Sequence, residues 1–278
     1  MSMKTVLVPL EDPETTGPIL ETALVFARRF GSLVEGLATL PILDNYIVGE
    51  MVPLWPPQQR STTDLTRDVY EAFRGFMTTH GVAARDQGAT GATFAWREPP
   101  VLGDSAVASI ARVFDITVVG RPISGSVGPR LSLLETVMFE SGRPILIAPP
   151  AAPAGLGDSI LVAWNCSTET ARTVALAESL LKQAKRVLVL TVEGGTVPGP
   201  SGEDLARALR LDGIECEALT LPGTQATAGE VILQHCEAWG ADLLIKGAYT
   251  QSRLRQMIFG GATSHILSQA RLPVFMAH

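Results

Sequence analysis

The chain states the same order of elements twice, and few folds accommodate that. Val6-Leu7-Val8-Pro9 reads as a short apolar strand that turns at Glu11-Asp12 into an amphipathic helix over 13–30. Ile160-Leu161-Val162-Ala163 turns at Asn165-Cys166-Ser167 into a helix whose Val174, Ala177, Leu180 and Leu181 fall at helical spacing. A further strand follows in each half, over 33–40 and 187–192. Downstream, helices over 106–114 and 230–239 feed strands over 115–120 and 242–247, and the halves close on apolar runs at 143–148 and 272–277. Strands without polar alternation, alternating with helices, predict parallel sheets covered on both faces by right-handed crossovers.

The expected fold is therefore α/β, with two tandem doubly wound, Rossmann-like domains over 1–148 and 158–278. The Pro/Ala/Gly-rich stretch from Pro149 to Asp158 reads as a linker with little to pack. An extra segment from Pro41 to Gln59, with Tyr46, Met51 and Trp55, is too apolar for a simple exposed loop and is expected to pack over an edge or an interface.

Charge and composition exclude several classes. A net charge of -6 argues against a nucleic-acid surface, which needs a basic excess. No apolar run reaches membrane-spanning length, and the N-terminus leads straight into a strand, so the expected location is cytoplasmic, with no membrane partner. Cys166, Cys216 and Cys236 have neither paired nor metal-like spacing, and no two of the histidines stand at i, i+4, so no metal is predicted. Cys236 is expected in the core. Asp12 as N-cap, Pro13 at the first helical position and Glu14 in the first turn give the acidic turn a structural role.

The second half carries one further pattern. The apolar run ending at Lys246 breaks at Gly247, and Gly260-Gly261-Ala262-Thr263 opens a helix. A strand ending in glycine and a helix starting on paired glycines leave backbone N–H groups for an anion. Glycines at a helix start are poor substitutes for better caps, which suggests close approach of a backbone or a ligand.

Two consecutive half-chains of this layout, the second ending in Gly247-Ala-Tyr-Thr250 and Gly260-Gly261-Ala262-Thr263, resemble a tandem universal stress protein. The resemblance implies five-stranded parallel sheets, pairing of the closing strands between the halves, homodimerisation, and a Gly-x2-Gly-x9-Gly-Ser/Thr loop in nucleotide-binding members. Gly247 and Gly260 match the first and third motif glycines; Thr250 replaces the second, and Gly261 stands at the Ser/Thr position. The implied cofactor is ATP, with Mg2+, and the implied nucleotide-binding residues are Ala163, Trp164, Asn165, Val192, Lys246, Gly247, Tyr249, Thr250, Gly260, Gly261, Ala262 and Thr263. Asn165 falls where the family places an Asp, and Val192 where it places a base-flanking valine. Arg253 and Arg255 are weaker phosphate candidates.

In the first half Gly120 survives, but Leu131-Ser132 replaces Gly260-Gly261, where side chains are expected to crowd a phosphate, and Glu11 takes the Asp position. That half is expected to be a structural or pairing domain. The function implied is a stress-response sensor or regulatory module that binds an adenine nucleotide in its second half, with no catalytic residues and at most weak ATPase activity. A scaffold of the same fold without ligand is the alternative. An adenine-nucleotide alpha hydrolase ranks below both, since neither Pro9-Leu10-Glu11-Asp12 nor Ala163-Trp164-Asn165-Cys166 resembles the Ser-Gly-Gly-x-Asp-Ser loop expected of that group.

Overall fold

The computed structural model describes residues 3–41, 61–85, 90–122, 128–223, 225–248 and 261–278. In the first half, β1 (Thr5–Leu10), α1 (Thr16–Phe30) and β2 (Leu33–Leu40) are followed by α2 (Thr62–Thr79), β3 (Ala83–Ala84) and β4 (Thr93–Leu102), then α3 (Asp104–Ala111), β5 (Ile116–Gly120), α4 (Leu131–Glu140) and β6 (Ile145–Ala148). The second half runs β7 (Ser159–Ala163), α5 (Thr168–Leu176), α6 (Glu178–Leu181), β8 (Arg186–Val192), α7 (Gly202–Leu211), β9 (Cys216–Leu221), α8 (Ala228–Trp239), β10 (Leu243–Gly247), α9 (Ala262–Gln269) and β11 (Val274–Ala277). Most of the predicted Pro41 to Gln59 segment lies outside the described residues.

Each half lays down its strands in the same parallel order, β4-β2-β1-β5-β6 and β9-β8-β7-β10-β11, with the two-residue β3 added beside β4. The two do not remain separate sheets. Closing strands β6 and β11 pair antiparallel, Ile147 opposite Val274 and Ile145 opposite Met276, giving one sheet of 11 strands among the described residues. Unpaired strand edges are costly and association-prone, and this pairing satisfies both closing edges internally.

Helices cover both faces. One core cluster includes Phe26, Phe73, Val162 and Leu180 beneath α1, α2, α5, α6 and α7; the other includes Leu134, Val137, Ile232 and Ile266 beneath α3, α4, α8 and α9. Both clusters cross the seam, so each core is shared. No helix among the described residues is long and apolar enough to cross a membrane.

Local chemistry sets the boundaries. Asp12 accepts the Glu14 N–H at 2.8 Å, and Pro13–Thr15 forms a single 3-10 turn before α1 begins at Thr16, so the expected helix over 13–30 starts one tight turn late. Gly31, at φ 61°, ends it in the left-handed conformation that glycine adopts without strain. Ser201 with Asp204, and Thr227 with Glu230, form capping boxes that start α7 and α8.

Two aspartates hold the halves in register by the same device. Asp115 accepts the Lys4 and Thr5 N–H groups at 2.7 and 3.0 Å, just before β5. Asp242, just before β10, accepts those of Gly157, Asp158 and Ser159 at 2.9, 2.9 and 3.0 Å. The linker expectation needs correction at this point. Leu156 is buried, its carbonyl accepts from Arg29 at 3.0 Å, and the same guanidinium pairs with Asp158 at 2.9 Å, so the end of the Pro/Ala/Gly stretch is packed and anchored.

Candidate functional site

Strand order reverses between β7 and β10, and the crevice above the carboxyl ends of those strands is where doubly wound folds place ligands. Gly247 ends β10 there. A Cβ at this position would stand 2.5 Å from the Thr170 backbone nitrogen and 2.6 Å from its hydroxyl, so the first turn of α5 itself requires glycine. Gly261 differs. It caps α9 with φ -88° and ψ 174°, ordinary extended backbone, without a side-chain cap bond, and a Cβ added to it would meet nothing among the described residues. Among the described residues, neither packing nor backbone conformation demands glycine at that helix start.

Lys246 reaches this helix start. Its ammonium, 8% exposed, donates to the Gly247 carbonyl at 2.9 Å and to the Thr263 hydroxyl at 2.8 Å, tying the end of β10 to the first turn of α9. No ion pair joins it to a carboxylate among the described residues, and burial alone pushes its pKa down to about 8. A cation held this way is costly unless an anion approaches it. Thr263, buried, is engaged by this contact and is not an idle hydroxyl. Ala262 lies against the other helix: a Cβ on Gly229 would come 2.8 Å from its carbonyl oxygen.

The residues expected at the base end are arranged differently. Asn165 turns its Oδ1 inward, accepting from the Thr170 hydroxyl at 2.5 Å and from the Ser167 N–H at 3.3 Å. Trp164 is buried and its indole N–H donates to the Pro200 carbonyl at 2.9 Å; Ala163 and Val192 are buried at their strand ends. The stretch after β8 lies on the Asn165-Cys166 turn: Val197 N–H donates to the Asn165 carbonyl at 3.0 Å, and a Cβ on Gly199 would come within 2.6 Å of the Cys166 carbonyl oxygen. Cys166 adopts φ 67°, a left-handed conformation unusual for a side-chain-bearing residue. Burial raises its thiol pKa, with the Trp164 contact opposing. Of the remaining expected residues, Tyr249, Thr250 and Gly260, with Arg253 and Arg255, lie outside the described residues.

The corresponding place in the first half is filled by the chain itself. Arg130 precedes α4 as Gly261 precedes α9, and its guanidinium meets Glu11 and, at 2.9 Å, Asp104, while its backbone N–H donates to Glu11 at 3.1 Å. Pro129 packs onto the end of β5 so closely that a Cβ on Gly120 would stand 2.2 Å from its Cγ. The side chains expected to crowd this place are those of Leu131 and its neighbours; Leu131 itself is 47% exposed, and the neighbours Pro129 and Arg130 occupy it. The Glu11–Arg130–Asp104 cluster was not found in the sequence. Its one signal is an arginine standing where the second half has glycine. By element order, Asn165, Gly261 and Ala228 stand where the first half has Glu11, Arg130 and Asp104, so three charged side chains are replaced by neutral or small ones.

Comparison with known proteins agrees with this architecture. A universal stress protein from Archaeoglobus fulgidus superposes with a TM-score of 0.69 at 18% identity, covering 99% of this chain and 96% of that one. A putative universal stress protein from Pseudomonas aeruginosa gives 0.55 at 15% identity, covering 99% and 93%, and a functionally unknown protein from the same species gives 0.53 at 14%, covering 99% and 92%. At these identities the likeness establishes the fold. No curated protein matches the chain. In sequence, residues 158–278, the half with the buried lysine, match the model of the Universal stress protein family.

Proposed function

We propose that this protein is a stress-response sensor or regulatory module, built of units 1–148 and 158–278, that binds an adenine nucleotide through its phosphates in the second unit. The carrying observation is Lys246, a buried ammonium without a carboxylate partner among the described residues, tied to Thr263 at the α9 start, where a Cβ on Gly261 would meet none of the described residues. Backbone N–H groups at a helix start and a cation tied to it form an anion cradle. Mg2+ bound with the phosphates would share their charge. The first unit, its crevice filled by Arg130, acts as the structural partner. The reading needs no catalysis, and hydrolysis of a bound nucleotide would be incidental.

One observation favours the ligand-free scaffold as a second reading. Asn165 spends its Oδ1 on Thr170 and Ser167, and the stretch through Gly199 lies on its turn, so the base end is closed unless that stretch moves. The test is to denature the purified protein, look for released nucleotide by mass spectrometry, and titrate ATP while following thermal stability. Saturation at a hundredfold excess over the dissociation constant adds about 2.7 kcal/mol of stability. Gly261→Val, which the described surroundings and ordinary φ tolerate, is expected to abolish that gain without unfolding the protein. No released nucleotide and no shift with millimolar ATP would leave the scaffold standing.

A further inference from the structure

A second cavity lies along the groove between α8 and α9. Its origin is a contact between two helix starts. A Cβ on Gly229 would stand 2.8 Å from the Ala262 carbonyl oxygen and 3.0 Å from the His265 Cβ, so glycine lets α8 and α9 touch near their N-termini. Both helices lead into parallel strands and so run side by side in the same direction. The space between them is lined from Glu230 and His265 near the helix starts to Glu237, Arg271 and Leu272 at their C-terminal ends, and amounts to about 460 Å3. That falls in the range of small-molecule sites, roughly 300–1,000 Å3.

The charges lining this wedge oppose each other and are unspent. Glu237, in the last turn of α8, makes no ion pair among the described residues, and neither does Arg271, two residues beyond the end of α9. Both line the cavity near the C-terminal ends of the two helices, yet no ion pair joins them among the described residues. Arg121 adds positive charge on the α9 side, donating to the Ser268 carbonyl and lying close enough to Arg271 for the two guanidiniums to repel. The rest of the lining is mixed, with apolar surface from Leu233, Leu272 and the buried Cys236 beside the amides of Gln234 and Gln269.

We propose that this wedge binds a free α-amino acid with an apolar side chain. An α-amino acid carries its ammonium and carboxylate on one carbon, which suits an acid and a base that share one end of a cavity without touching. Glu237 takes the ammonium and Arg271 the carboxylate, each as a charge-assisted hydrogen bond, and the side chain covers the apolar lining. The C-terminal ends of both helices carry partial negative charge, which also favours the ammonium.

The test is calorimetric titration of the full chain with L-leucine, L-methionine and L-phenylalanine, and with the N-acetyl and amide derivatives of whichever binds. Saturable binding in the range of about 1 mM or tighter is expected, weakened at least tenfold, about 1.4 kcal/mol, in each derivative. Glu237→Gln and Arg271→Gln are expected to weaken the parent amino acid by a similar factor; both sites are exposed, and unchanged melting curves establish that the variants are folded. No saturable heat with any of the three amino acids would overturn the proposal. So would binding that the derivatives or both variants leave unchanged.

Discussion

Replacing Lys246 by methionine tests whether that ammonium sits where burial makes it costly. The displacement from 10.5 to about 8 corresponds to about 3 kcal/mol at roughly 1.36 kcal/mol per pH unit. The unfolded chain holds this proton up to about pH 10.5, whereas the folded chain releases it near 8. Between those values the unfolded state binds more protons, so stability rises with pH through that window, and below about 8 the full cost applies. Cys236 works the other way. Burial pushes its thiol from 9.0 up to about 12, so it lowers stability as pH climbs past 9. Between about pH 7 and about pH 9, urea denaturation captures about 1.4 kcal/mol of the lysine effect against about 0.4 of the opposing thiol effect, leaving a net gain for the parent of about 1 kcal/mol. Lys246→Met should lose that gain. Near neutral pH the variant should also be more stable, by about 3 kcal/mol less roughly 0.5–1.5 for each of the two hydrogen bonds removed. Equal pH slopes in parent and variant would refute the assignment of a buried, unpaired ammonium.

Three other substitutions probe the crevices. Gly247→Ala places a Cβ 2.5 Å from the Thr170 nitrogen and should destabilise by about 1–3 kcal/mol, read as a lower urea midpoint with unchanged slope. Arg130→Met leaves Glu11 and Asp104 facing each other while only 10% and 17% exposed; a loss of about 2–4 kcal/mol is expected, discounted from a fully buried pair, with partial recovery in the Arg130→Met, Glu11→Gln double variant. Gly261→Ser supplies the cap that α9 lacks and should raise stability by a few tenths of a kcal/mol, while the new side chain weakens ATP binding; a gain in ATP affinity would place the phosphates elsewhere.

Most of the fold was legible because it rests on local pattern. The apolar runs ending at Ala163 and Gly247, and the helical spacing of Val174, Leu180 and Leu181, report burial directly, and the repeat made each half a check on the other. What escaped depends on distance in sequence. Glu11 meets Arg130 across 119 residues and Lys246 meets Thr263 across 17, and no local pattern announces either contact. Glycine was the least readable residue. Gly247 looked like a phosphate glycine and is required by Thr170, whereas Gly261, which marked a departure from the family motif, is the one that no contact among the described residues requires. Asn165 was correctly placed at the end of β7, but its side chain was claimed by Thr170, five residues on.

The seam between the halves also fixes the valence of the sheet. With β6 held between β5 and β11, and β11 between β6 and β10, neither closing strand has a side left to offer. At one end the two-residue β3 covers only Thr93 and Phe94 of the ten-residue β4, whose remaining outer edge has no strand beside it among the described residues. At the other the sheet stops at β9, six residues whose burial alternates and whose outer backbone groups have no strand beside them among the described residues. Strand addition is therefore confined to the two outer ends of the sheet, β4 and β9, and is excluded at the seam. Two copies joined through β9 would leave β4 as the outer edge of each, where Pro99 and Pro100 have no backbone N–H to offer a further strand, so the far edge resists continued addition.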